Sequence, residues 1–300
     1  MADVKLSVIV VCLNSSDVRE ACLKALEAQA HLNSMEILAV GHWGEKHFGT
    51  DASLSWRERF PTVHWLSVSA ETTIPKMRTY AILQSCGEIV ALLEDDCIVP
   101  DGWVLNVMRA HAGTDQIIGG AIVPGNYHRL LDWAVYFCEY GRFMPLFSGS
   151  QNALPGNHVT YQKTILSAFK SGEGFYEVFF HDAWQRSGGK LIADPKLAVT
   201  NINRWSLRHV TNIPFHHGRA FSGMRSANFS PWRKGLYTIL SLALPIVKAG
   251  RLATVILNRK QYQTQFFFSL PWIMIFLSSW SFGELLGYAA GPGRSPEQWR

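Results

Sequence analysis

From Lys196 to Gly283 the chain has no aspartate or glutamate, although it carries 11 lysines and arginines there. The missing acids are concentrated earlier: residues 1–194 hold 21 acids against 15 Lys and Arg, so the formal charge of +5 hides an acidic part of −6 followed by a basic one. That segregation argues against a nucleic-acid binder, since most of the chain would repel phosphate backbone. Cysteine is scarce as well. The five thiols, Cys12, Cys22, Cys86, Cys97 and Cys138, are odd in number and form no C-x-x-C pair. This argues against a disulfide framework and a structural zinc site, and points to a reducing compartment. A glycine-rich phosphate loop, a serine nucleophile elbow, internal repeats and low-complexity linkers are also missing. Leu6 to Leu13 is apolar but has neither a basic n-region nor an A-x-A exit, so it reads as a buried strand rather than a signal peptide.

What is present is ample core-forming sequence: 48% of 300 residues are apolar and 17% charged, which excludes disorder. The unbroken β-branched run Ser7 to Cys12 predicts a strand covered on both faces, with Ser15 or Ser16 capping a helix over Val18 to Ala30. Strands are expected at Glu36 to Val40, Val63 to Val68 and Glu88 to Leu93, with a helix at Pro75 to Ser85. This alternation implies an α/β fold with a mostly parallel sheet and helices on both faces, whose ligands bind at the carboxyl ends of the strands. Further on, a helix is expected at Trp103 to His111, a strand at Gln116 to Val123, a helix at Tyr161 to Ser171, another within Gly172 to Gly189, and a last strand at Leu191 to Val199.

Asn14, Gly41-His42 and Glu94-Asp95-Asp96 all fall at those carboxyl ends. Three adjacent acids repel one another unless something compensates. One reading is a divalent cation held through oxygen that in turn carries a diphosphate. The other is a helix start, since Pro100-Asp101-Gly102 follows closely. Glu177 and His181 lie four residues apart and would share a helix face, a spacing more common in surface or capping pairs than in metal sites. His216-His217-Gly218-Arg219 with Arg225 forms a basic cluster suited either to a diphosphate or to anionic lipid head groups. Asp132-Trp133 and Glu139-Tyr140-Gly141-Arg142 offer aromatic surface for a sugar ring or for core packing.

Taken in order, these segments resemble a bacterial-type family 2 inverting glycosyltransferase of the GT-A fold over residues 5–200. The resemblance is carried by Ser7-Val-Ile-Val-Val-Cys-Leu-Asn14, by the Arg78 helix leading to Cys86-Gly87-Glu88 and Glu94-Asp95-Asp96, and by Pro100-Asp-Gly-Trp103. Leu154-Pro-Gly-Asn157 with Tyr161-Gln-Lys163, Gly174-Phe-Tyr-Glu177, and Gly189-Lys-Leu-Ile-Ala-Asp194-Pro195 continue it. It implies transfer of a sugar from a nucleoside diphosphate, with Mg²⁺ or Mn²⁺ on Glu94, Asp95 and Asp96. The base is then expected at Glu177, with Asp182 as the alternative, and donor contacts at Cys12, Asn14, His42, Arg78, Glu94, Asp95, Arg219 and Arg225. Three positions depart from the family pattern: Gly41-His42 replaces an acidic pair, Val178 follows Glu177 where an aspartate is usual, and Asn201 stands where a histidine is expected.

The C-terminal third reads differently. Leu236 to Val247 is apolar for only 12 residues and is followed by Lys248 and Arg251, whereas Phe266 to Gly283 runs for 18 residues without a charge. The expectation is that the first segment lies in a membrane interface and the second inserts; a buried helical subdomain is the competing reading. The expected division is therefore a GT-A catalytic domain over 1–200, a basic interfacial segment over 201–234 and hydrophobic membrane-associated helices over 235–300. The catalytic domain would face the cytoplasm at the inner or cell membrane, in contact with anionic lipid. Its partners would be a nucleotide sugar and a lipid-linked or polysaccharide acceptor, without nucleic acid. An inactive scaffold of the same fold and a sugar nucleotidyltransferase are the readings from other classes.

Overall fold

The computed structural model describes residues 4–30, 35–43, 56–114, 116–125, 127–167 and 174–298. They fall into two compact units, the first made of residues 1–125 and 143–203, the second of 126–142 and 204–300. The limits expected near 200 and 234 run along the chain, whereas these units are drawn in space.

The first unit opens with β1 (Leu6–Val11), whose six residues are all buried, followed by α1 (Ser16–Ala30), β2 (Met35–Gly41), β3 (Val63–Ser67), α2 (Ile74–Gln84) and β4 (Ile89–Glu94). These are the expected elements within one or two residues. Next come β5 (Cys97–Ile98), α3 (Trp103–His111), β6 (Ile117–Gly119) and β7 (Ile122–Pro124). The run Gln116 to Val123, expected as one strand, is thus two strands in two different sheets. Gly120 between them lies against the Leu197 carbonyl so closely that a Cβ would collide with it.

After α4 (Leu130–Tyr140), the first unit resumes with β8 (Gly149–Gln151) and β9 (His158–Gln162). Tyr161, expected to start a helix reaching Ser171, is instead a fully buried strand residue; among the described residues the short helix α5 (Lys163–Leu166) follows it, and residues 168–171 of that expectation lie outside the described residues. The last elements of the unit are α6 (Glu177–Arg186), β10 (Leu191–Ala193) and β11 (Val199–Asn201), the latter pair separated by a 3-10 turn at Pro195–Leu197 where one strand was expected.

The main sheet has the order β3-β2-β1-β4-β9-β6-β10-β8, and β5-β11-β7 form a small second sheet. Strands β3, β2, β1 and β4 are parallel, and β9 turns antiparallel against β4. The chain winds outward from β1 to β3 and then crosses to β4 on the other side of β1. That reversal opens a crevice between the carboxyl ends of β1 and β4, where open α/β sheets bind ligands. Val11 pairs with Glu94 at this end.

The second unit joins α4 to α7 (Asn212–Arg225), α8 (Pro231–Ser241), α9 (Leu244–Arg259) and α10 (Gln263–Ala290). Helix α10 packs on α7, α4, α8 and α9. Its crossing with α7 is closed by glycine: a Cβ on Gly283 would strike the Phe215 carbonyl, one on Gly287 the Arg219 carbonyl, and one on Gly218 the Trp280 carbonyl. Small residues four apart allow two backbones this near to each other. Helix α10 is long and apolar enough to cross a membrane, and α8 and α9 together form a pair bent by 62°.

Candidate active site

The crevice is built from the strand ends upward. The Asp95 backbone N–H donates to the Val11 carbonyl, which stitches β4 to β1. The fully buried Asp95 carboxylate then accepts hydrogen bonds from the backbone N–H groups of Leu13 and Asn14 and from the Asn14 side chain at 2.7 Å. Arg19, itself 1% exposed, adds an ion pair at 3.1 Å. Burial raises the Asp95 carboxyl, and these partners oppose the shift by favouring the anion. Asp95 therefore folds the β1–α1 turn, and its oxygens are occupied.

Asp96 stands differently. It is 2% exposed, and its partners are neutral: the Asn203 amide at 3.1 Å, the Asn201 side chain and the Cys97 thiol. Burial, with the Asp95 charge beside it, pushes its carboxyl up to about 6. Asn203 also donates to the Asn14 side-chain oxygen at 2.9 Å, so one amide ties the ends of β1 and β4 to the chain beyond β11.

Glu94 points to a third environment. Arg78 on α2, with 7% of its side chain exposed, donates from Nη2 to Glu94 at 3.0 Å and from Nη1 to Glu177 at the start of α6. Burial pushes the Glu94 carboxyl up to about 8, against the opposing pull of Arg78. Two glycines make this convergence of α2 and α6 possible. Gly174 has φ +117° and lies against Pro75, and the next N–H, of Phe175, donates to the Pro75 carbonyl at 2.9 Å. Gly156 lies directly against the Glu177 carboxylate, where any side chain would overlap it. His181, one turn further along α6, is buried and shares a 2.8 Å hydrogen bond with the Tyr161 hydroxyl. Burial lowers His181 to about 4, which keeps it neutral.

The predicted residues thus divide. Arg78, Glu94 and Glu177 meet, with Asn14, Asp95 and Asp96 at the adjoining strand ends. Asp182 is on the outer side of α6, half-exposed and paired with Arg186 at 2.6 Å. Cys12 is buried with its thiol directed at the Val10 carbonyl, and burial raises it well above the usual thiol range. His42 lies at the end of β2 with Nδ1 buried and unpartnered, beside an aromatic group in which Trp43 meets Trp65 edge-on at 4.8 Å and Arg19 covers Trp43 and Trp56. Arg219 and Arg225 belong to the second unit, where Arg219 bonds the Gly291 carbonyl at 3.3 Å and Arg225 lies over Tyr288. Asp132 and Trp133 are also there: Asp132 holds Arg129 and the Trp205 N–H, and Trp133 packs among Tyr127, Phe137 and Tyr262.

Arg19 and Asn203 were not anticipated. Arg19 had a legible signal, since it shares the α1 stripe of Leu23 and Leu26, four and seven residues on, where a cation needs a buried partner. Asn203 had none beyond its nearness to Asn201.

The expected donor set of three carboxylates is not what forms. Among the described residues no three His, Cys, Asp or Glu side chains converge as metal ligands. Arg78 occupies Glu94 and Arg19 occupies Asp95, which leaves Asp96 as a buried carboxylate without a cation. One hard oxygen ligand of this kind fits Mg²⁺ or Mn²⁺ completed by substrate phosphate and water.

Among solved structures the chain is similar to the mannosyltransferase PcManGT from Pyrobaculum calidifontis in complex with GDP-Man and Mn²⁺. The TM-score is 0.58 at 14% identity, over 94% of this chain and 87% of that one. The fold is GT-A-like. A second neighbour is GalNAc-T7 with UDP, GalNAc and Mn²⁺, with a TM-score of 0.52 and 12% identity over 67% of this chain and 44% of that one. No family model and no curated protein matches the sequence.

Proposed function

We propose that this chain is an inverting glycosyltransferase that moves a sugar from a nucleoside-diphosphate donor to the hydroxyl of a lipid-linked or polysaccharide acceptor, with Glu177 as general base. The observation that carries the reading is the meeting of Glu94, Arg78 and Glu177 at the switch point of a parallel sheet, next to the uncompensated Asp96. Both structural neighbours were solved with a nucleotide or nucleotide sugar and Mn²⁺, which supports a donor of that class.

In the reaction, the acceptor oxygen attacks the anomeric carbon from the face opposite the diphosphate while Glu177 takes its proton. Arg78 is placed to bind the anionic oxygens of the leaving group. Asp96 would hold a divalent ion, which when bound neutralises charge on the departing diphosphate. Asp95, Arg19 and Asn14 keep the strand ends rigid, and Asp182 has no part.

Membrane attachment belongs to the same proposal. Trp232, Ile239, Leu242 and Ile246 on and between α8 and α9 are 79%, 68%, 68% and 75% exposed, and Phe268 on α10 is 66% exposed. Apolar surface of this extent beside Arg251, Lys260 and the other cations of an acid-free stretch suits an anionic bilayer. It suits the cytoplasmic face of the cell membrane, where an acceptor carried by lipid would be within reach.

The test is a donor-hydrolysis screen of UDP- and GDP-sugars with Mg²⁺ or Mn²⁺, comparing wild type with Glu94→Ala, Asp96→Ala and Glu177→Gln. The expected outcome is loss of donor binding in the first two variants and retained binding without turnover in the third. Normal turnover by Glu177→Gln would overturn the base assignment. Absence of binding to any nucleotide would overturn the donor reading.

A further inference from the structure

We propose that Arg78 holds Glu177 in a resting ion pair and that the donor's diphosphate frees this base by taking over the guanidinium. The inference rests on the donor reading given above and adds an order to it: donor first, acceptor second.

The geometry leads there in three steps. One buried guanidinium serves two carboxylates on separate elements, Glu94 at the end of β4 and Glu177 at the start of α6. Its N–H groups form a fixed planar fork, and the same fork matches phosphate oxygens in pairs. A diphosphate at the crevice therefore competes with the two carboxylates for the same N–H groups. Second, the Arg78 pair engages Glu177 Oε2 and holds the carboxylate toward the guanidinium instead of toward an incoming hydroxyl. Gly156 closes the carboxylate's other side with backbone. Third, the path of release is short, because α6 is anchored to α2 by the Phe175 N–H to Pro75 carbonyl bond rather than by the ion pair. The pair can open at the side chains while the two helices stay joined.

The cycle balances. With donor bound and Glu177 released, the acceptor O–H gives its proton to Glu177 as its oxygen bonds to the anomeric carbon. The bond from that carbon to the phosphate oxygen breaks, and its electron pair leaves with the diphosphate on Arg78. When the nucleotide departs, Glu177 passes the proton to solvent and Arg78 returns to it. Without a donor the base stays engaged.

The direct test is a crystal structure of the full chain with UDP or GDP and Mg²⁺. The expected result is Arg78 bonded to phosphate, with Glu177 beyond hydrogen-bond distance of the guanidinium. An intact Arg78–Glu177 pair beside a bound nucleotide would overturn the inference and leave the donor reading standing. Failure of both nucleotides to bind, measured by calorimetry, would overturn the donor reading and this inference with it. Steady-state donor hydrolysis by Arg78→Lys, taken across a range of donor concentrations, gives a second readout. An ammonium lacks the planar fork that holds two oxygens at once, so the donor KM is expected to rise at least tenfold. A donor KM within twofold of wild type would mean that the diphosphate does not meet Arg78, and would overturn release.

Discussion

At the end of β4 three acids follow one another, Asp95 and Asp96 buried and Glu94 partly so, and each meets a different partner: a shared arginine at Glu94, an arginine with three N–H groups at Asp95, and neutral groups at Asp96. The helical unit has the opposite economy. From Arg204 to Gly283 it has no acid, and Glu284, paired with Lys248, also accepts a hydrogen bond from the Trp280 indole N–H. Its helices are brought together by glycines, and its exposed face is apolar and basic. The first unit gives up stability to keep a buried carboxylate without a cation, whereas the second pairs its buried acids Asp132 and Glu284 with Arg129 and Lys248 and leaves apolar surface outside.

Five experiments bear on that contrast. The largest is expected for Glu177→Gln, which should lower turnover by about 10²–10⁴-fold, the usual worth of a general base, with donor binding within about threefold of wild type. Turnover and calorimetry on one preparation check this.

Asp96→Asn is expected to stabilise the metal-free chain. The folded-state carboxyl is raised to about 6 from an ordinary value near 3.8, so ionisation in the fold costs stability as pH rises through that window. The variant escapes the cost: its advantage should be absent below about pH 4 and reach at most about 3 kcal/mol above pH 6. Thermal melts in the presence of a chelator at pH 4 and pH 7 would show it. An equal effect at both values would place the cause elsewhere.

Gly287→Val tests the helical unit, because its side chain would enter the space of the Arg219 carbonyl and Ser222 hydroxyl. A loss of about 1–3 kcal/mol is expected, as for other overpacked interiors, read from denaturant unfolding in detergent. Smaller again are Arg251→Gln and Lys260→Gln, both exposed, each expected to weaken partition onto anionic vesicles by about 1 kcal/mol, or roughly fivefold, without effect on neutral ones. Equal binding to both vesicle types would remove charge from the account. The smallest change is expected for Asp182→Asn, whose exposed pair with Arg186 contributes less than about 0.5 kcal/mol and no activity.

Much of this was legible in the chain. A strand buried on both faces must be continuously apolar, which is why β1, β2 and β4 and the acids ending β4 stood out. Glu177 was placed by its motif, and α3 by its helical period. The misreadings lie where a short apolar run serves two periods equally well. Tyr161 looked like a helix start because the buried strand β9 is only five residues long. Gln116 to Val123 looked continuous because nothing local marks Gly120 as the point where the turn between β10 and β11 passes at backbone distance.

By itself the sequence determined the alternation of strands and helices, the acid-free basic stretch and the apolar length of α10, since each follows from the spacing of residues along one dimension. Which of three neighbouring acids is neutralised by which arginine was decided only by the tertiary structure. Arg19 and Arg78 are 76 and 16 residues from the acids they meet, and Glu177 is 99 residues from Arg78. Burial removes water as the alternative partner, so the one group left without a cation, Asp96, is known only once the crevice is closed around it.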